Sequence, residues 1–358
     1  VRQGTTPEEK TANQARAREF LAETILANIN NPSKEGVEDL LQQLAISSIP
    51  KRKKVTAAES ADPKAPKPAP PTVAETFAEA ETELNKLLGL EAGKLSEVGQ
   101  ARLLYVKSEL YRKLEASAPK VKGPDGKLII DNSPRQSDAL MEKLVTEFKT
   151  DDYSPSLLAV VGNYFVKREA EERASACFNR LIQFFPQSPY MDWALVGLGQ
   201  MAYKAKDYDT ALKRFTQAMD EYPGAKYGEA QMGKARVLFD SEKLDESETL
   251  LKEMFGDKSV PKEVKAEVTW LLGEIRFKQK ALPDAFNYFQ RLYLSFGAFP
   301  EWMAKGYLRA GETKEALGKG TDAVDIYRDA VNDARKAAKM KNEPDFQKVK
   351  DRLRNLGG

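Results

Sequence analysis

A small residue returns along this chain at Gly162, Gly199, Ala235, Gly273 and Gly311, at steps of 37, 36, 38 and 38 residues. Twelve positions after each stands Ala174, Ala211, Ser247, Ala285 or Ala323, and four further on Phe178, Phe215, Leu251, Phe289 or Tyr327. A unit of this length is one helical hairpin, and a single hairpin cannot bury its apolar face alone, so each must stack on the next. Glycine inside a helix costs about 1 kcal/mol relative to alanine, so its recurrence implies close packing between the two helices of a unit. The large residue then fills the space between neighbouring hairpins. Pro186, Pro223, Pro261 and Pro300 stop the second helix of successive units and start the next one. The expected fold is all-α, an α-solenoid of helical hairpins.

The stretch "FFPQSPYMDWALVGLGQMAYKAKDYDTALKRF" resembles the tetratricopeptide repeat family, whose units run to about 34 residues with a small-residue and aromatic signature. The resemblance covers residues 155 to 334 and is similar to the variant found in bacterial cell-envelope proteins, such as outer-membrane assembly lipoproteins and the Tol-Pal-associated coordinator of division. The chain departs from the pattern at Ala235 and Ser247, and in the irregular turn "GDKSVP" of the third unit. The resemblance implies a scaffold that binds extended peptides or partner helices on a concave face lined by the first helix of each unit, in a bacterial periplasm or envelope, with the cytoplasm as the alternative. Carried over by position, that face holds Trp193, Val196, Gln200 and Tyr203, then Glu229, Met232, Arg236 and Phe239, then Glu267, Trp270, Glu274 and Phe277. Tyr203, Phe239 and Phe277 each follow the small residue by four positions, which makes an aromatic row. Trp193, Gln200, Tyr203, Met232, Arg236, Phe239, Trp270, Glu274 and Phe277 are the expected partner-binding residues, since such a composition is enriched at binding hot spots. The same rings would equally serve to pack against the second helices and stiffen the array. The mixed signs of Arg236 and Glu274 differ from the cation cluster that holds a peptide's terminal carboxylate in chaperone-binding members of the family.

Outside the repeats, residues 1–49 read as a helical module. Thr6 is placed to cap a helix reaching about Ala27, and "VEDLLQQLAI" makes a shorter second helix. Residues 50–72, "PKRKKVTAAESADPKAPKPAPPT", hold almost no large apolar side chains and read as a linker. Residues 73–154 read as degenerate repeat-like helices, interrupted at 118–134 by a hairpin or loop insertion around Gly-Pro-Asp-Gly. Five repeats occupy 155–340, and 341–358 form a basic capping helix. Within "AFNYFQRLYLSFGAFPEW", Phe289, Leu292 and Phe296 fall at core spacing, and Tyr288, Tyr293 and Phe299 are left as an edge for protein contact.

The chemistry of the chain narrows its function. It has no histidine, which removes the common nucleophile–base pairs and histidine-ligated zinc. Its one cysteine, Cys177, reads as a small buried apolar side chain. No phosphate-binding glycine loop or metal-ligand spacing is present, so no cofactor and no catalysis are expected. Net charge is +2, so nucleic acid is not an expected partner. No run approaches the roughly 20 apolar residues that span a bilayer. The start "VRQGTTPEEK" lacks an initiator methionine, which fits a signal or anchor removed upstream. The expected function is a non-enzymatic scaffold for protein–protein interaction in a bacterial envelope complex. The alternative is a binder of an anionic polymer or membrane surface, through "KRKK" and the basic terminal segment.

Overall fold

The computed structural model describes residues 7–50, 72–89, 95–118 and 135–357. Within them the chain forms seventeen α-helices and one 3-10 turn, with no strand. Apart from Pro50, Thr72 and Ala118, the linker expected over 50–72 and the insertion expected over 118–134 lie outside the described residues, as does Thr6. The chain divides into two compact units, Val1–Gly197 and Leu198–Gly358.

In the first unit, α1 (Pro7–Leu26), α2 (Val37–Ser47), α3 (Val73–Leu87) and α4 (Glu97–Ser117) bury one shared core. Ile25, Leu41, Leu44, Leu84 and Val106 are fully enclosed in it. Segment 1–49, expected as a module of its own, therefore shares its core with α3 and α4. Two helices of this size cannot keep water from a common face without further cover. Thr72 starts α3 with a capping box, its hydroxyl accepting from the Glu75 amide while the Glu75 carboxylate accepts from the Thr72 amide. Ser96 caps α4. As the amphipathic pattern implies, α5 (Gln136–Glu147) packs back along α4, and Ser137 Oγ donates to Glu115 Oε2 at 2.6 Å.

One charged side chain ties this unit together. Arg102 of α4 is fully buried, and its Nε donates to Glu38 Oε1 at 2.8 Å. Its remaining nitrogens donate to the carbonyl oxygens of Asn28, Ile29, Asn31 and Lys34 at 2.7 to 3.2 Å. The connection between α1 and α2 is thus wound around one guanidinium, whose planar fork offers five donors. Ser154 Oγ donates to the same Glu38 oxygen.

The repeat follows the spacing in the sequence. Its first hairpin is α6 (Pro155–Lys167) with α7 (Glu171–Phe184), and α8 (Met191–Lys204) and α9 (Tyr208–Asp220) occupy the second period. Three more hairpins follow: α10 (Tyr227–Asp240) with α11 (Leu244–Gly256), α12 (Lys262–Lys278) with α13 (Leu282–Ser295), and α14 (Pro300–Ala316) with α15 (Gly320–Asn332). The boundary between the two units falls inside α8. A short α16 (Ala334–Met340) and α17 (Pro344–Asn355) close the second unit, and Phe346, Val349 and Leu353 of α17 complete the core of α14 and α15.

Phe178, Phe215, Leu251, Phe289 and Tyr327 are buried to 1% exposure or less, and the glycines exist to seat their rings. A methyl group on Gly162 would stand 2.4 Å from Phe178 Cε1, one on Gly273 2.5 Å from Phe289 Cε1, and one on Gly311 2.1 Å from Tyr327 Cε1. Phe215 is gripped twice, by Gly199 and by Gly233 of the next first helix, at 2.8 and 2.4 Å from a Cβ there. The third unit has a leucine instead of a ring, and there the small position carries the methyl of Ala235. Ser247 satisfies its own hydroxyl by donating to the Ala235 carbonyl at 2.9 Å. Both departures from the pattern are therefore one adjustment.

Each first helix ends in the same left-handed turn. Glu169, Lys206, Glu242, Lys280 and Gly318 have φ of 59°, 61°, 59°, 62° and 72°. The amide that follows each donates back to a carbonyl five residues earlier: Ala170 to Phe165, Asp207 to Ala202, Lys243 to Leu238, Ala281 to Arg276 and Lys319 to Lys314, at 2.9 to 3.0 Å. This closure satisfies the last carbonyls of the helix and sets the hairpin angle.

Candidate functional site

The expected partner-binding residues divide between the two units. Trp193 lies in the first, half-buried, with its ring 6.4 Å from that of Tyr190. The other eight lie in the second unit. There the aromatic row exists, and its members face neighbouring repeats. Tyr203 Oη donates to Asp240 Oδ2 at 2.6 Å, and burial together with this bond raises its phenol above the ordinary range. The Phe239 ring lies under Lys278 Nζ at 4.4 Å, and the Phe277 ring under the Arg309 guanidinium at 4.3 Å. Trp270 lies 6.2 Å from Trp302, and Lys305 stands over both rings.

Charged partners run in the same direction. Arg236 Nε donates to Glu267 Oε1 at 2.7 Å, Lys278 Nζ to Glu242 Oε1 at 2.6 Å, and Arg309 Nη2 to Glu274 Oε2 at 2.8 Å. Arg352 of α17 continues the ladder to Glu312 and Glu315, at 3.3 and 3.2 Å. From α10 onward each first helix is thereby pinned to the next, and α14 to α17, across the face that the resemblance assigns to a partner. The Lys278–Glu242 pair is exposed and holds register more than it adds stability, while Arg309 and Glu274 are largely buried against each other.

One stretch of this face opens into a cavity of about 680 Å³. It is lined by Gln200 of α8, by Tyr227, Met232 and Arg236 of α10, by Met254 of α11, and by Val264 and Glu267 of α12. Its end wall is the irregular turn after α11, where Asp257 accepts from the Ser259 amide at 2.8 Å and from the Ser259 hydroxyl at 2.9 Å. Those bonds hold the Asp257 carboxyl below its ordinary range. Gln200, Met232 and Arg236 are thus brought together, with Met232 almost wholly buried at 5% exposure. Tyr203, Phe239, Trp270, Glu274 and Phe277 are not part of the lining. Sequence reasoning missed Tyr227, Met254 and Val264. The available signal was the irregular turn itself, which directly follows the helix that carries a leucine in place of the ring.

One other expectation changes. Tyr293 stacks on Tyr307 with ring centroids 4.0 Å apart and planes 10° from parallel, so it serves the core; Tyr288 and Phe299 also pack partly against buried clusters. Phe289, Leu292 and Phe296 are core as expected. In the basic terminal segment, Lys336 pairs with Asp329, Lys348 with Asp345, and Arg354 with Asp351, each within the chain's own acids. The "KRKK" cluster lies outside the described residues. Among the described residues no helix is long and apolar enough to cross a membrane.

Residues 202–266 match the family model of the tetratricopeptide repeat. Among curated proteins, cilia- and flagella-associated protein 70 of Macaca fascicularis is 29% identical over 147 residues, which is 38% of this chain and 14% of that protein. The chain thus spans a small part of that relative's length. Among solved structures, a Rap protein complexed with competence and sporulation factor aligns with TM-score 0.49 and 13% identity, covering 79% of this chain and 80% of that one. The yeast Tom70 aligns with TM-score 0.43 and 12% identity, covering 99% of this chain and 62% of that one.

Proposed function

We propose that this chain is a non-enzymatic scaffold that binds a protein partner, as an extended peptide or a helix, on the first-helix face of its second unit. The observation that carries the reading is the cavity beside α10. It has an apolar floor and a polar rim, on a face otherwise closed by paired charges. Its size falls within the roughly 300–1,000 Å³ of ordinary binding pockets. A rigid ladder of repeats suits such a site, because a surface ordered before binding leaves less entropy to lose on association. We place the partner in a bacterial periplasmic or envelope assembly, on the resemblance of the repeat to envelope proteins alone.

The test is affinity capture from envelope and cytosolic extracts at low and at moderate salt, followed by mass spectrometry. A protein partner from the envelope extract that survives moderate salt is expected. Recovery of only nucleic acid or anionic lipid, lost as salt rises, would replace this reading with the anionic-surface one, since counterion release makes such binding strongly salt-dependent.

A further inference from the structure

Resting on that reading, we infer that the cavity beside α10 takes one apolar side chain of an extended partner peptide, with a lysine or arginine next to it in the peptide. Three features of the site carry this. The floor is soft and apolar: Met232 and Met254 present thioethers, and Val264 closes the side. Methionine is unbranched and polarizable, so such a floor adapts to leucine, methionine or phenylalanine rather than to one shape. At the mouth, Tyr227 keeps 39% of its surface exposed, a flat ring against which an entering side chain can lie.

Charge selects the neighbour. The lining carries the carboxylates of Glu229, Asp257 and Glu267 against the single guanidinium of Arg236, and Arg236 is spent on Glu267. Asp257 is oriented by Ser259, and the lysine that acts on it, Lys265, is outside the cavity lining. Glu229 pairs with Lys226, three residues before it, and its carboxylate is half exposed. An exposed pair at that spacing is worth a few tenths of a kcal/mol, so a peptide cation can take the place of Lys226. An acidic peptide would meet a lining with three carboxylates and one guanidinium, which disfavours it.

The backbone leaves a way in. Gly228 lies on the rim in the first turn of α10, and a Cβ built there meets nothing within 4 Å. The space beside it is open to a peptide chain and gives a clean place to block the cavity.

The experiment selects a displayed library of random 12-residue peptides on the full chain, then measures a labelled selected peptide by fluorescence anisotropy on variants. Enrichment of sequences pairing an apolar residue with lysine or arginine is expected. Gly228→Trp should weaken the selected peptide at least tenfold, and Glu229→Lys should weaken it several-fold while removing most of its salt dependence. Both variants should melt where the parent does, because neither position touches the core. Peptides that bind equally well to Gly228→Trp would overturn the cavity as their seat and leave the scaffold reading standing. Enriched peptides without basic residues, or indifference to Glu229→Lys, would overturn the charge selection. A library that yields no binder would remove both this inference and the peptide-scaffold reading beneath it.

Discussion

The glycine at Gly311 shows how much one hydrogen atom decides in this chain. A methyl group there would overlap Tyr327, which also donates from its hydroxyl to Glu315 Oε1 at 2.6 Å and so cannot swing aside. Overpacking of this kind costs roughly 1–3 kcal/mol, against about 1 kcal/mol gained in helix propensity. Gly311→Ala is therefore expected to lower the urea midpoint, and Gly228→Ala, which meets open space, to leave it unchanged or raise it slightly. The left-handed turns predict the opposite sign. Lys206, Glu242 and Lys280 hold a conformation that a Cβ disfavours, and Gly318 does the same job without the strain. Substituting glycine at each should stabilise by about 0.5 kcal/mol after the loss to unfolded-chain entropy, and three such distant changes should add. Equal or lower midpoints in the triple variant would show that these turns are not strained. The glycine positions were legible in the sequence; the turn positions were not, because they carry ordinary charged residues and only the backbone angle marks them.

At the level of elements, the hairpins hold because each second helix delivers one large side chain into a gap made for it. The connections hold for different reasons. Arg102 takes up a glutamate and four carbonyls that lie 64 to 74 residues away in sequence, so no local pattern announces it. Removing the cation strands a buried carboxylate beside unfilled carbonyls, a loss of about 3–5 kcal/mol. Arg102→Met should unfold the first unit at markedly lower urea. Arg102→Lys should recover little, since an ammonium has three donors on a flexible stem. Hydrogen exchange should show the connection between α1 and α2 opening first in either variant; protection there equal to the parent's would count against the Arg102 staple. By contrast the starts of some helices could be read directly, as with Pro261 before α12 and Pro300 opening α14.

Over the whole molecule, the titrating groups that burial affects most are acids of the alkaline range. Burial pushes the Cys177 thiol up to about 12 and raises the phenols of Tyr153, Tyr307 and Tyr327 above their ordinary range. Each is protonated in the fold and ionises more easily once unfolded, so the unfolded chain binds fewer protons above its own pKa values. Their contribution to stability is fully present below about pH 9 and is lost as pH climbs toward the folded values. Thermal melts should therefore hold steady up to about pH 9 and fall from there to pH 11, and a maleimide at pH 8 should label Cys177 only after denaturation. A flat melting temperature through pH 11, or rapid labelling of the native chain, would contradict this burial.

The period, the helical class, the ring positions and the buried cysteine follow from sequence alone, because a repeat places each side chain against a copy of the same neighbourhood and local spacing then suffices. Tertiary structure decided what spacing cannot carry. It spent the aromatic row on contacts between repeats, drew α1 and α2 into the core of α3 and α4, and opened a cavity at the irregular turn. A side chain's partner across a helix interface depends on which distant segment arrives there, and the position of a residue on a face does not say whether that face is already taken.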